Sequence, residues 1–334
     1  MSLTRTVAVT VVAIVMLAAH PGTSPQPDSF RFGAAGDFSL SRNFEAVAAA
    51  VKASNPDFLV ALGDLSYKFE EKRWCAHWKD TVTYSNLVLV SGNHDSGESL
   101  AGNINEYVKQ CGIPFGIPAE GYGKQYVFDY PAGQPLARFI MVSPGLSGSF
   151  IKDLDTDYDT GHQGYKFVAD AIDQARSRNI PWVVVAMHKN YVSTLDDKTN
   201  EISRDTKHSF MTMLLDKRVD LILQGHEHGY ERTHQVATNP STCPLLLTDG
   251  FDPDCVVDTD NMYKAGSGTV IVVLGTGGKD PRGLNTQDSE NRYFVTADNK
   301  AFGFGEFTVT RSSMSYQFKR AAGGPLTDQF TLAK

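Results

Sequence analysis

Short apolar runs rich in Val, Ile, Leu and Phe recur along the chain: Phe30 to Ala35, Phe58 to Leu62, Leu87 to Val90, Arg138 to Val142, Trp182 to Met187, Leu221 to Leu223 and Thr269 to Leu274. Runs of this kind, closed by turn-forming residues, predict buried strands. Two intervening stretches have helical spacing instead. Phe44 to Ala53 places Val47 and Val51 one turn apart, and Tyr165 to Arg178 does the same with Phe167, Ala171, Ile172 and Ala175. This alternation predicts a layered α/β domain. Near the C-terminus, Gly305 to Thr310 and Met314 to Lys319 alternate as antiparallel strands do, and they are expected to finish the same domain. Gly and Pro cluster at Gly112 to Pro118 and at Gly275 to Gly283, which predicts loops.

Polar residues suited to holding a metal ion stand directly after the predicted strands. Asp37 follows the first run, Asp64 the second, and Asn93, His94 and Asp95 the third. His188 follows Trp182 to Met187, and His226 and His228 follow Leu221 to Leu223. The carboxyl ends of the strands in an open α/β sheet form one rim where ligands bind, so these scattered residues are expected to converge. Gly precedes the polar residue in Gly36-Asp37, Gly63-Asp64, Gly92-Asn93 and Gly225-His226, as a tight turn with close backbone approach requires. A single buried Asp or His is ordinarily a hydrogen-bonded core or capping residue. The repeated placement is what points to a metal site.

In order, the motifs are Gly36-Asp37, Gly63-Asp64-Leu65-Ser66-Tyr67, Gly92-Asn93-His94-Asp95, Met187-His188 and Gly225-His226-Glu227-His228-Gly229-Tyr230-Glu231-Arg232. This series resembles the calcineurin-like metallophosphoesterase superfamily and, within it, the purple acid phosphatases. Two positions discriminate. Tyr67 stands three residues after Asp64, and Ser39 stands where most of the superfamily has a ligand His. The resemblance implies an α/β fold, the metallophosphoesterase α/β/β/α sandwich of two packed mixed sheets flanked by helices, in a single domain.

It also implies a ligand set. One ion takes Asp37, Asp64, Tyr67 and His228; the other takes Asn93, His188 and His226, with Asp64 bridging both. The first set is rich in hard anionic oxygen and suits ferric iron, Fe(III), whereas imidazoles and an amide suit a divalent ion such as Zn, Mn or Fe(II). Two ions about 4 Å apart acidify a bound water and grip phosphate through two oxygens, which implies a metal-bound hydroxide as nucleophile. His94, outside the ligand set, is expected as the general acid or as a hydrogen-bond donor to the transferring phosphoryl group. Asp95 is expected to support a ligand. Plant-type purple acid phosphatases carry an N-terminal β-sandwich, for which Ser24 to Arg31 leaves no room. They also have further histidines soon after the His188 segment, whereas Lys189 to Lys207 has none. Lys189, Tyr191 and Tyr230 are candidates either for phosphate contact or for packing.

Arg5 followed by the uncharged stretch Thr6 to Ala19 and the small, Pro-rich Pro21 to Pro27 predicts a secretory signal peptide at 1–22. A disordered lead-in at 23–29 and a catalytic domain at 30–334 are expected to follow. The apolar run is shorter than the roughly 20 residues of a spanning helix. Cys75, Cys111, Cys243 and Cys255 suit disulfides of an oxidising compartment. Pairing Cys75 with Cys111 and Cys243 with Cys255 is expected, because the second pair closes a short Pro- and Asp-rich loop; no C-x-x-C spacing supports a zinc site. The net charge of -7 and the scattered basic residues argue against nucleic acid or a membrane surface as partner. Asp153, Asp155, Asp157 and Asp159 alternate like a calcium loop, but Tyr158 and Gly164 stand where an EF-hand needs Gly and Glu, so a solvated acidic loop is expected. The chain is thus expected to be a secreted or periplasmic hydrolase acting on small phosphomonoesters. A phosphodiesterase using the same site, and a secreted binding protein with negligible turnover, are the alternatives.

Overall fold

The computed structural model describes residues 28–99, 101–195, 202 and 208–334; the expected signal peptide and most of the lead-in lie outside them. In chain order the strands are β1 (Ser29–Ala35), β2 (Phe58–Ala61), β3 (Leu87–Leu89), β4 (Tyr126–Tyr130), β5 (Ala137–Met141), β6 (Trp182–Ala186), β7 (Leu221–Gln224) and β8 (Tyr230–Thr233). They continue as β9 (Gln235–Val236), β10 (Val256–Asp258), β11 (Met262–Lys264), β12 (Val270–Leu274), β13 (Phe294–Asp298), β14 (Ala301–Thr310), β15 (Ser313–Gly323) and β16 (Gln329–Ala333). The α-helices are α1 (Arg42–Ser54), α2 (Glu71–Ala76), α3 (Ile104–Cys111), α4 (Gln163–Ser177) and α5 (Ser209–Asp216).

Two seven-stranded mixed sheets face each other. The first runs β11-β16-β15-β14-β1-β2-β3 and the second β13-β8-β12-β7-β6-β5-β4. β1, β2 and β3 are mutually parallel, as are β5, β6, β7 and β12. Strand periodicity shows how the layers divide the core. In β6, Trp182, Val184 and Ala186 join the cluster between the sheets, while Val183 and Val185 join a second cluster with Val168 and Ile172 of α4 and Phe210 and Leu214 of α5. Phe139 meets Phe32 and Phe58 edge-on across the gap between the sheets, at centroid distances of 5.0 and 5.3 Å. On the first sheet, α1 lies against β14 and β15. Ser41 caps its start by accepting from the Phe44 N–H, and Asn55, at φ 50°, closes its end.

The C-terminal strands join the first sheet, with β14 pairing antiparallel to β1 from Ser29↔Thr310 to Ala34↔Gly305. Both expected disulfides are present, Cys75–Cys111 between α2 and α3 and Cys243–Cys255. The acidic run is met by protein groups: Asp153 by Lys124, Asp155 and Asp157 by His162, and Asp159 by the Ser209 hydroxyl.

β8 escaped the apolar pattern because its residues Tyr230-Glu231-Arg232-Thr233 are largely polar, yet all four are buried. Such a strand survives only if each polar group finds a partner. Glu231 accepts from the Ser193 hydroxyl (2.6 Å) and the Thr194 N–H (2.7 Å). Arg232 donates twice to Asp328 (2.6 and 2.7 Å) and also to Tyr263 (2.8 Å) and Asn261 (2.9 Å). Asp328 immediately precedes β16, so this ion pair ties the second sheet to the first. Arg232→Met should cost about 3 kcal/mol by leaving the largely enclosed Asp328 carboxylate without its cation, read as a lower urea midpoint at unchanged slope.

Candidate metal centre

The first sheet delivers Asp37, Asp64 and Asn93 beyond the ends of β1, β2 and β3. The second delivers His188 beyond β6, and His226 and His228 beyond β7. Backbone hydrogen bonds join the two rims here: the Gly36 N–H donates to the Leu274 carbonyl (2.8 Å) and the Gly277 N–H to that of Gly36 (2.8 Å). Asp37, Asp64, Tyr67 and His226 leave their strands in the left-handed region, at φ 58°, 52°, 62° and 72°, a conformation uncommon for residues with a Cβ. The preceding glycines serve space more than φ. A Cβ on Gly92 would stand 2.1 Å from Asp64 Oδ1.

Two clusters result. In one, the Tyr67 hydroxyl donates to Asp37 Oδ1 (2.9 Å) and lies 2.8 Å from His228 Nε2, which is 3.7 Å from the same carboxylate oxygen. In the other, Asn93 Oδ1 lies 3.1 Å from His188 Nε2 and 3.0 Å from His226 Nδ1, with those two nitrogens 3.2 Å apart. Asp64 connects them. Its Oδ1 is 3.3 Å from His188 Nε2, and ligand atoms of Asp37, Asp64 and His188 all lie within 4.8 Å of one another. All seven residues expected as ligands therefore meet at one rim.

The chemistry of these atoms fits cations. His188 Nδ1–H donates to the Leu62 carbonyl (2.7 Å) and His228 Nδ1–H to that of Asp280 (2.8 Å). Each Nε2 is thereby left with a lone pair facing its cluster. Lone pairs of Asn93, His188 and His226 converge with at most one proton to share, and the buried Nε2 of His226 has no hydrogen-bond partner among the described residues. Ligand atoms ~2.1 Å from one ion stand about 3 Å apart, which matches the spacing within both clusters. The acidic groups point the same way. Burial, reinforced by Asp64 against the pull of His188, pushes the Asp37 carboxyl up, and burial together with Asp37 and Asp64 holds the Tyr67 phenol well above its usual range.

His94 belongs to neither cluster but faces the same rim. Its Nε2 lies 3.8 Å from Asp64 Oδ2, its Nδ1 lies 3.0 Å from the Ser99 hydroxyl, and its N–H donates to Asp64 Oδ1 (2.9 Å). Asp95 supports the turns around it, accepting from the N–H groups of Leu65 (3.1 Å) and Gly92 (3.0 Å). Lys189, Tyr191 and Tyr230 are buried and engaged elsewhere, donating to the Gly145 carbonyl (2.5 Å), the Leu246 carbonyl (3.0 Å) and Asp328 (2.5 Å).

Sequence reasoning missed the loop after β12. It supplies the Asp280 carbonyl to His228, places Lys279 Nζ 4.6 Å from the Tyr67 ring centre, and carries Arg282, which donates to Glu227 Oε2 (3.0 Å). Backbone carbonyls such as those of Leu62 and Asp280 leave no trace in side-chain identity. The Gly-rich run Gly275 to Gly283 after a buried strand was the usable signal, since it repeats the placement that located the other rim residues.

The family model described as "Calcineurin-like phosphoesterase" matches residues 30–230, which contain both clusters. The chain belongs to the calcineurin-like phosphoesterases. Residues 268–329 match "Iron/zinc purple acid phosphatase-like protein C", so the C-terminal part of the chain is purple acid phosphatase-like. A purple acid phosphatase from yellow lupin (Lupinus luteus) seeds shares the fold, with a TM-score of 0.66 and 20% identity over 93% of this chain and 55% of that one. A Hordeum vulgare protein named nucleotide pyrophosphatase/phosphodiesterase is 25% identical over 289 residues, 83% of this chain and 72% of that protein. An Arabidopsis thaliana protein named probable inactive purple acid phosphatase 27 is 25% identical over 299 residues, 83% of this chain and 43% of that protein. The chain thus spans less than half of the Arabidopsis relative and about half of the lupin one. The purple acid phosphatase-like fold implies a dinuclear metal centre, and the two clusters supply donors for it. Gly92→Ala should displace the Asp64 carboxylate and weaken metal affinity by about 10- to 100-fold, measured by titrating the metal-stripped protein with Zn(II) while circular dichroism checks that it stays folded.

Proposed function

We propose that the chain hydrolyses phosphomonoesters through a single catalytic domain running from residue 30 to 334, in a secreted or periplasmic setting. The observation that carries this reading is the convergence of two donor clusters on Asp64 with His94 facing the same rim. Asp37, Asp64, Tyr67 and His228 would hold Fe(III), and Asn93, His188 and His226 a divalent Zn, Mn or Fe(II), because anionic oxygens favour the harder ion and imidazoles the softer. Such ions supply Lewis acidity toward a phosphate oxygen and lower the pKa of a bound water.

The chain's own residues do the rest. Asp64 joins the two clusters and is the residue both ions would share. The carbonyls of Leu62 and Asp280 fix the His188 and His228 rings, so the donor atoms need no reorganisation when charge develops. Ser99 steadies the His94 ring through Nδ1, leaving Nε2 directed toward the rim. From there His94, in its protonated form, donates to the leaving alkoxide as the ester P–O bond breaks. The two disulfides support an oxidising compartment, and among the described residues no helix is long and apolar enough to cross a membrane.

The name of the barley relative favours phosphodiester cleavage as a second reading, since the same donors serve either ester class and only the surrounding walls discriminate. Metal-loaded protein should turn over p-nitrophenyl phosphate faster than bis-p-nitrophenyl phosphate. The opposite order would select the diesterase reading, and turnover of neither would defeat both. His94→Ala should keep its metals and lose about 10²- to 10⁴-fold in kcat; wild-type rates in that variant would remove His94 from the chemistry.

A further inference from the structure

A cation already lies against the ring of Tyr67. Lys279 Nζ stands 4.6 Å from its centre, and the backbone that brings it there is fixed on several sides. The Lys279 N–H donates to the Asp37 carbonyl (3.0 Å), and the Gly277 N–H donates to that of Gly36 (2.8 Å). The hydroxyls of Ser39 and Ser41 both donate to the Gly278 carbonyl, at 3.0 and 2.8 Å. Gly278 has φ 136°, and a Cβ there would meet the Phe44 nitrogen at 2.6 Å, so the turn accepts only glycine. Ser39 is the residue standing where most of the superfamily has a ligand His. In this chain the position holds, instead of a donor to metal, a hydroxyl that pins the loop carrying Lys279.

Arg282 lies on the same loop, but its guanidinium meets Glu227 Oε2 at 3.0 Å. The charge over the Tyr67 ring is therefore that of Lys279. A cation on an aromatic face is drawn to the ring electrons, and the negative charge of a phenolate extends into that ring. An ammonium there stabilises the electron-rich phenolate more than a state in which an electron has moved from ring to metal. Groups outside the ligand shell commonly tune a metal in this way.

We propose that Lys279 is a positioning residue for Tyr67: held over the ring by the Ser39–Gly278 contact, its ammonium sets the electron-donating strength of Tyr67 toward a ferric ion. The proposal rests on the assignment of Tyr67 to Fe(III). It predicts that the phenolate-to-iron absorption band lies at shorter wavelength than it would without the charge.

The test is the visible spectrum of the full iron-loaded chain, recorded with its metal content and with inhibition by inorganic phosphate. Lys279→Met should move the band to longer wavelength with iron content unchanged. Lys279→Arg, which keeps a cation over the ring, should stay at the wild-type position. Ser39→Ala should show a smaller shift in the same direction, because Ser41 still holds Gly278. An unshifted band in Lys279→Met at wild-type iron content overturns the proposal. If that variant instead weakens phosphate inhibition about tenfold with the band unmoved, roughly 1.4 kcal/mol of phosphate binding, Lys279 contacts phosphate and the tuning role fails. Tyr67→Phe separates the two layers of inference. A wild type without a visible band, or a band that survives Tyr67→Phe, removes the iron–tyrosine assignment and the tuning role with it. Loss of the band in Tyr67→Phe secures the assignment and leaves Lys279 to be judged on its own shift.

Discussion

Asp37 and Asp64 place two carboxylates where water does not reach, with ligand atoms of both and of His188 within 4.8 Å of one another. Buried like charges oppose each other's ionisation, and the two groups respond differently. Burial and Asp64 push Asp37 up, whereas at Asp64 burial is outweighed by His188, His94 and His226, which hold it below the usual carboxylate range. His188 shows the same tension from the other side: burial disfavours its charge, yet Asp64 and Asp37 raise its pKa to about 9. Its Nδ1–H is committed to the Leu62 carbonyl, so Nε2 is where positive charge must come. A proton and a metal ion are competing answers to one electrostatic demand, and metal binding at this rim should release protons.

That demand explains why the rim is built as it is. Four residues of the site sit in the left-handed region, each at a cost of order 1–3 kcal/mol. Such conformations persist only where the surroundings over-determine them. Here the surroundings are two sheets whose ends are bonded to each other, through Gly36 to Leu274 and His188 to Leu62, and whose middles are held by the aromatic contacts of Phe139 and the Arg232–Asp328 pair. The cores are apolar and regular, and four of the left-handed residues are gathered at one end. The stability of the sandwich holds the rim in a geometry that the rim residues alone would not keep.

What the sequence made legible follows from the same division. Strands such as β6 and β7 are buried along their whole length, so their apolar runs stand out, and a candidate ligand just beyond each end could be read directly. β8 was invisible because its four residues are buried through partners that come from distant segments, Ser193 and Thr194 for Glu231 and Asp328 for Arg232. No local pattern encodes a partner 96 residues away. Edge strands β4 and β13, partly exposed, likewise lack a continuous apolar run. At the site the side-chain identities were readable, but the left-handed turns and the orienting carbonyls were not, since any residue can supply a carbonyl.

The loop after β12 joins these threads. The match to calcineurin-like phosphoesterases ends at residue 230, and the loop lies within residues 268–329, which match the purple acid phosphatase-like C-terminal model. It orients His228 through Asp280, covers Tyr67 with Lys279, and packs Arg282 against Glu227 between the paired histidines. The cluster containing Tyr67 is therefore completed by a segment remote in sequence from the motifs that announce it. The chain carries a net charge of -7, so its overall field would not draw an anion, and attraction of one would fall to local cations. Lys279 and Arg282 are the cations this loop brings to the Tyr67 side. The same segment that orients His228 thereby also fixes the positive charge beside the Tyr67 ring.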